Sequence, residues 1–173
     1  VLYNSGGYES LSALRMLEGK VQAYLPDMKY PDEAGAARYS RAPDYPQIAK
    51  AAIREMRRQA GPVVIGEGGL IQSGVIVRHL VLPGRSHQSM EVLRWIEGEL
   101  PRGTWVSLMA QYVPAGAAKS MPPIDRRLTA REYDRVVDCL VSLGLEDGYV
   151  QELASADEKY IPPFDLTGVP EKK

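Results

Sequence analysis

The sequence predicts an α/β domain with a mostly parallel sheet. Three observations predict it: short apolar runs alternate with helix-period stretches, one run is apolar on both faces, and polar residues stand where several runs end. Strand–helix alternation implies parallel strands. One hand of crossover then brings every strand's C-terminal end to the same side, where parallel barrels and open α/β sheets place their chemistry.

The elements follow in order. Residues 1–4 read as a strand closed by Ser5-Gly6-Gly7, and Leu11, Leu14 and Leu17 mark a short helix. A second strand, Val21 to Leu25, ends at Pro26-Asp27-Met28-Lys29, and Pro31 to Ser40 reads as a short, poorly ordered helix. A long helix from Asp44 to about Ala60 carries the stripe Ile48, Ala52, Ile53 and Met56, with Pro46 in its first turn, where a missing N–H costs nothing. Gly61 to Gly74 reads as a hairpin insertion, with Gly66-Glu67-Gly68-Gly69 as its turn; without a Lys-Ser/Thr pair it is not a phosphate loop. The doubly apolar strand runs from Val75 to Leu82, then a helix from about Ser89 to Leu100 turns Val92, Leu93 and Ile96 inward. Strand Trp105 to Ala110 precedes a Pro/Gly/Ala-rich loop over 113–123. Thr129-Ala130-Arg131-Glu132 is a capping box for a last helix whose inward stripe is Tyr133, Val136, Val137, Leu140 and Val141, stopped at Gly144. One domain is expected over 1–151, with an irregular tail over 152–173.

Composition excludes several function classes. A net charge of −1 over 173 residues gives no general attraction to nucleic acid or anionic membrane. No apolar run approaches the roughly 18 residues that span a bilayer, and no leader is visible, so the expected setting is cytoplasmic. The single cysteine, Cys139, excludes an internal disulfide and reads as a packing thiol on the last helix. The chain has no Met at position 1 and opens inside an apparent strand, which reads as a truncated product or a cloned fragment.

The strand ends carry the candidate site: Asn4 and Ser5, Asp27 and Lys29, Arg78, and Gln111 and Tyr112. Asp27 and Lys29 are two apart and face the same way in extended chain. Arg78 sits in the doubly apolar strand, where an unpaired charge costs several kcal/mol. It needs an anionic partner, either a structural carboxylate such as Asp27 or a bound ligand, and Lys29 reads equally as a turn lysine. Brought to one rim, these residues point to an anionic, carboxylate-bearing ligand. His79 faces away from Arg78 and reads as a satisfied core histidine, His87 as an exposed loop residue, and Arg54, Arg57 and Arg58 as a solvated helix face.

Five blocks carry a family resemblance: Tyr3-Asn4-Ser5-Gly6-Gly7-Tyr8-Glu9, the run Tyr24 to Tyr30, the run Val77 to Gly84, Ser107 to Tyr112, and Ile161-Pro162-Pro163-Phe164-Asp165. Together they resemble the C-terminal part of radical S-adenosylmethionine (SAM) proteins related to pyruvate formate-lyase activating enzyme. The resemblance implies the later strands of a partial (β/α)₆, TIM-like barrel. It implies an iron–sulfur oxidoreductase that cleaves SAM reductively at a [4Fe–4S] cluster and abstracts hydrogen from a substrate, such as a glycyl-radical enzyme. The cluster's CxxxCxxC loop is absent from this chain, and roughly 60 residues of earlier βα units would precede it. By the resemblance, Lys29 takes the SAM carboxylate, Asp27 helps hold a cation beside it, Asn4 and Ser5 lie in the same region, and Arg78 lies close to SAM. An acid stands at the Asn4 position in the activase proper, and a histidine in the region of Gln111 and Tyr112. The chain alone is expected to be inactive, to bind neither cofactor tightly, to hold no metal, and to self-associate through an exposed edge strand. Two alternatives remain: a Schiff-base aldolase-type barrel using Lys29, and a non-catalytic interaction domain.

Overall fold

A computed structural model of the chain describes residues 1–145 and 147–153. Twelve elements follow in chain order: β1 (Leu2–Ser5), α1 (Leu11–Leu17), β2 (Ala23–Pro26), α2 (Glu33–Ser40), α3 (Tyr45–Ala60), β3 (Val64–Ile65), β4 (Ile71–Leu80), α4 (Ser86–Glu99), β5 (Trp105–Met109), a 3₁₀ turn (Gly116–Ser120), α5 (Ala130–Ser142) and β6 (Gly148–Val150). The α/β class with a mostly parallel sheet is what the alternation predicts. The strands lie in the order β1-β2-β4-β5-β6, all neighbours parallel, and β3 pairs antiparallel with β4 as the predicted hairpin.

Local chemistry sets the helix boundaries. Ser10 caps α1 by accepting from the Ala13 amide, and Asp32 caps α2 by accepting from Gly35 at 2.7 Å. The segment expected to be poorly ordered is therefore a regular, capped helix. It closes on Arg41 at φ 54°, a left-handed conformation uncommon outside glycine. The capping box of α5 is present in both directions. Its Glu132 also accepts from the Gly84 amide at 2.7 Å and receives both Arg126 Nη atoms at 2.9 and 2.7 Å. One carboxylate thus joins the turn after β4, the loop over 113–128 and the start of α5.

Alternation sorts the sheet into two faces. On β4, Val75, Val77 and His79 are at most 2% exposed and lie with Tyr24, Val106 and Leu108 on the helix-covered face. That face packs against Ala49, Ala52, Ile53 and Met56 of α3, Val92, Leu93 and Ile96 of α4, and Tyr133, Val136 and Leu140 of α5. His79 is satisfied between Met28 O (2.6 Å) and Ser89 Oγ (2.9 Å). Burial pushes its pKa below the usual imidazole value, so it is a neutral core histidine. Asn4, Leu25, Ile76, Arg78, Trp105 and Ser107 alternate onto the other face, called here the front face.

Several expectations need correction. The hairpin arm at 70–71 and the strand from Val75 are one strand, β4, because Gly74 (φ 112°) passes the Val63 backbone where any Cβ would overlap it. The strand ends two residues earlier than Leu82, β2 begins at Ala23 rather than Val21, and α4 begins at Ser86, which puts exposed His87 in its first turn rather than in a loop. Val141 is 54% exposed, not inward. At about 100° per residue it lies about 80° round from Tyr133, at the margin of the stripe. Strand β6 and the 3₁₀ turn carry no periodicity long enough to be read. Cys139 packs against the core, half-buried. From residue 154 onward the tail, including the block at 161–165, lies outside the described residues. No helix among the described residues is long and apolar enough to cross a membrane.

Candidate functional site

The parallel ladder carries Asn4, Asp27 and Arg78 to one end of the sheet. Asp27 lies just past β2 and bridges to Arg78 on β4, while Asn4 opposes Leu25 on the far side of β2. Arg78 reaches across β2, and its Nη1 donates to Asn4 Oδ1 at 2.8 Å. Its Nε lies 2.9 Å from Asp27 Oδ1. Both atoms are buried and off the hydrogen-bond direction, so charge contact holds them. Lys29 Nζ donates to the other Asp27 oxygen at 2.5 Å. The result is a row of two cations on one carboxylate, a surplus of one positive charge within the row itself, with the Glu9 carboxylate near enough to interact with Asp27. Exposure graduates along it: the Asp27 side chain is 14% exposed, Arg78 27% and Lys29 42%. One of the three N–H directions of Lys29 is spent on Asp27, which leaves the others for a ligand.

The row opens into a groove of about 500 Å³. Tyr30 and Tyr39 flank it, Leu82 and Met109 line it, and Ile124 closes it from the loop after β5. The two tyrosine hydroxyls are hydrogen-bonded: Tyr30 with Ser40, itself a lining residue, at 2.8 Å, and Tyr39 accepting from Arg85 Nε at 3.0 Å. Burial raises the Tyr30 and Tyr112 pKa values above the ordinary phenol value, so both stay protonated.

The remaining predicted residues divide. Gln111 and Tyr112 border the groove, where the Gln111 side-chain carbonyl and the Tyr112 hydroxyl bond to its wall and the Gln111 side-chain amide has, among the described residues, only a 4.0 Å contact to Met109 Sδ. Gln151 Nε2 donates to Gln111 Oε1 at 3.1 Å, and the Tyr112 hydroxyl donates to Ile124 O at 2.6 Å. Ser5 does not join the row. Its hydroxyl donates to Glu9 Oε2 at 3.1 Å and accepts from the Gly7 amide at 3.2 Å, bracing the turn after β1. The reason is the pleat: residues 4 and 5 of one strand point to opposite faces. Burial raises the Glu9 pKa, with the Ser5 hydrogen bond opposing it.

One residue at the site carries no sequence signal. Tyr45, the first residue of α3, is 3% exposed, and its hydroxyl meets Gly6 O (2.9 Å), Asp27 O (2.8 Å) and the Lys29 amide (3.0 Å). Burial pushes its pKa far above the ordinary phenol value. A tyrosine beside Asp44-Pro46 marks a helix start, and nothing local predicts contact with two strand ends.

Comparison with known proteins finds a relative in an archaeon. The chain is 28% identical over 147 residues to an uncharacterized protein of the archaeon Methanocaldococcus jannaschii, a match covering 84% of this chain and 39% of the relative. The chain thus spans about two-fifths of the relative's length. No known family's sequence profile matches the chain, and no solved structure does.

Proposed function

We propose that this chain is the later-strand part of a radical SAM barrel related to pyruvate formate-lyase activating enzymes, and that Lys29 and Arg78 bind the carboxylate of SAM's methionine moiety. The observation that carries the reading is the surplus cation: two cations share the Asp27 carboxylate at the rim of a groove of ligand size. Strand order supports it. The parallel strands follow chain order without reversal, as in a barrel wall, whereas a doubly wound sheet reverses at its ligand site.

The residues fit SAM and do not fit the cluster. Asp27 Oδ1 and Arg78 Nε satisfy each other as a buried ion pair at 2.9 Å, whereas Lys29 is 42% exposed and keeps N–H directions beyond the one spent on Asp27, which a carboxylate can take. A [4Fe–4S] cluster takes cysteine thiolates. This chain's one cysteine is on α5, outside the groove lining, and no group of His, Cys, Asp and Glu that could hold a metal occurs among the described residues. The cluster's ligands would come from outside these 173 residues. When bound, SAM would supply a sulfonium for reductive cleavage and hydrogen abstraction. This chain's part is to bind and orient: Lys29 and Arg78 take the carboxylate, Asp27 fixes both cations, and Asn4 holds Arg78 from the far side of β2.

Lys29 is 42% exposed and paired with Asp27, unlike a Schiff-base lysine activated by desolvation. The geometry therefore favours the carboxylate site over the aldolase alternative.

The test is titration of the ¹⁵N-labelled chain with millimolar SAM, with 5′-deoxyadenosine as the ligand lacking the carboxylate. SAM is expected to shift the amides of Lys29 and Arg78, and Lys29→Met and Arg78→Met to raise half-saturation at least about 10-fold, as loss of a charge-assisted bond does. Equal shifts from 5′-deoxyadenosine, or wild-type binding by Lys29→Met, sink the proposal. An in-frame upstream region without the three-cysteine motif would turn it toward a non-catalytic binding domain.

A further inference from the structure

We propose that the Tyr45 hydroxyl is a positioning group for the anion site, setting the Asp27–Lys29 pair by joining the turn after β1 to the backbone on either side of Met28. The inference rests on the reading of Lys29 and Arg78 as a carboxylate site and adds to it a group that touches no ligand.

The segment Asp27-Met28-Lys29 is held from two sides. Met28 belongs to the β4 side: its amide donates to Arg78 O at 2.8 Å, and its carbonyl meets His79 Nδ1 at 2.6 Å. Asp27 and Lys29 present their carbonyl and amide to the opposite side, and there both meet Tyr45 Oη. The hydroxyl has one proton for two carbonyls, Gly6 O and Asp27 O, and accepts one N–H, from Lys29. It therefore serves three backbone groups that no strand ladder reaches, on two successive strand ends.

The ring is built in. Tyr8 stacks on it with centroids 5.9 Å apart and planes at 18°, and Tyr30 meets it edge-on at 5.7 Å and 75°. Gly7 completes the device. At φ 80° it lets the turn after β1 lie against the Asp27 carbonyl, which a Cβ would overlap, while that Cβ would approach the Tyr45 hydroxyl at 3.2 Å. Tyr45 is also the first residue of the 16-residue α3, so the hydroxyl ties the two strand ends to the start of that helix. Without it the Lys29 amide loses its partner, and the Lys29 side chain loses the backbone orientation that brings its ammonium onto Asp27.

The test compares Tyr45→Phe with Tyr24→Phe in the full 173-residue chain. Tyr24→Phe also removes a hydroxyl from a fully buried ring, at its 2.7 Å bond to Gln59, but away from Lys29. Tyr45→Phe is expected to speed hydrogen exchange of the Lys29 amide at least about 10-fold, as loss of a lone hydrogen bond does. The Met28 amide should stay protected, and half-saturation by SAM should rise several-fold. Tyr24→Phe should do neither at a similar loss of stability. Unchanged Lys29 exchange and unchanged SAM response in Tyr45→Phe overturn the proposal. If the wild-type chain gives no SAM response, the ligand reading fails while Lys29 exchange alone still decides Tyr45. Should Tyr45→Phe not fold, the wild-type hydroxyl decides: a slowly exchanging Tyr45 proton with cross-peaks to the Lys29 amide supports the proposal, and its absence overturns it.

Discussion

The Asp27–Arg78 contact lends itself to a double-mutant cycle. The perturbations are Arg78→Met, Asp27→Asn and the two together. At 2.9 Å two unit charges attract by about 1.4 kcal/mol in a water-like medium and about 6 kcal/mol at an effective dielectric near 20. With Asp27 14% and Arg78 27% exposed the pair lies between these limits. The cycle cancels each residue's own desolvation and reads the pairwise term alone, which for a pair this exposed should lie near the lower limit, at about 1.5 kcal/mol. The single losses should be unequal. Arg78→Met leaves Asp27 still paired with Lys29 and should cost about 2 kcal/mol. Asp27→Asn leaves two cations facing each other without a counter-charge and should cost about 3 kcal/mol. The assay is urea unfolding of all four chains, comparing midpoints at constant slope. The reasoning fails if the coupling is below about 0.5 kcal/mol, the scatter of independent sites, or if Arg78→Met is the costlier single change.

Two further predictions concern pH. The Glu132 pKa is held well below the usual 4.5, first by Arg126 and also by Thr129 and the Gly84 amide. The unfolded chain then takes up the proton first. Stability from this group is complete above about pH 5 and declines as pH falls below 4.5, and Glu132→Gln should remove that slope and cost about 1–2 kcal/mol at pH 7; a slope unchanged by the substitution would refute it. His79 is depressed chiefly by burial, with Met28 O and Asp27 opposing and Lys29 assisting. Here too the unfolded chain binds the proton first, so stability should drop as pH falls below 6.5. His79→Gln, followed by thermal melts from pH 5 to 8, should flatten that dependence; a melting temperature independent of pH in the parent chain would contradict a buried neutral imidazole.

The ease of reading each part follows from the range of the forces that set it. The α5 cap was legible because Thr129 and Glu132 act within four residues. Asn4, Asp27, Lys29 and Arg78 could be grouped because parallel strands align their ends, so position along the chain implied proximity. The separation of Ser5 from the row is legible too, since the two-residue pleat sends neighbours to opposite faces. Gln111 and Tyr112 reach the groove, but the Gln111 side-chain carbonyl and the Tyr112 hydroxyl serve Gln151 and Ile124, partners 40 and 12 residues away that no local pattern names. Tyr45 is the same case: its bonds reach 39, 18 and 16 residues back along the chain. Gly74 looked like a break between strands because glycine usually is one, yet here it preserves the strand where the Val63 backbone crosses close by.

The bond from Arg78 to Asn4 spans three strands, and that span has a consequence for assembly. β1 is four residues long and, among the described residues, pairs only with β2, a ladder too short to specify its own alignment strongly. If β1 slipped by one residue, Asn4 would turn to the helix face and Ser5 would stand before Arg78. Its hydroxyl is shorter than the Asn amide and would surrender its contacts to Glu9 and Gly7. The ionic row therefore acts as a proofreader of the sheet's edge: only the alignment that completes the polar cluster also satisfies the arginine, so a mispaired edge strand would reveal itself first as a defect in the site.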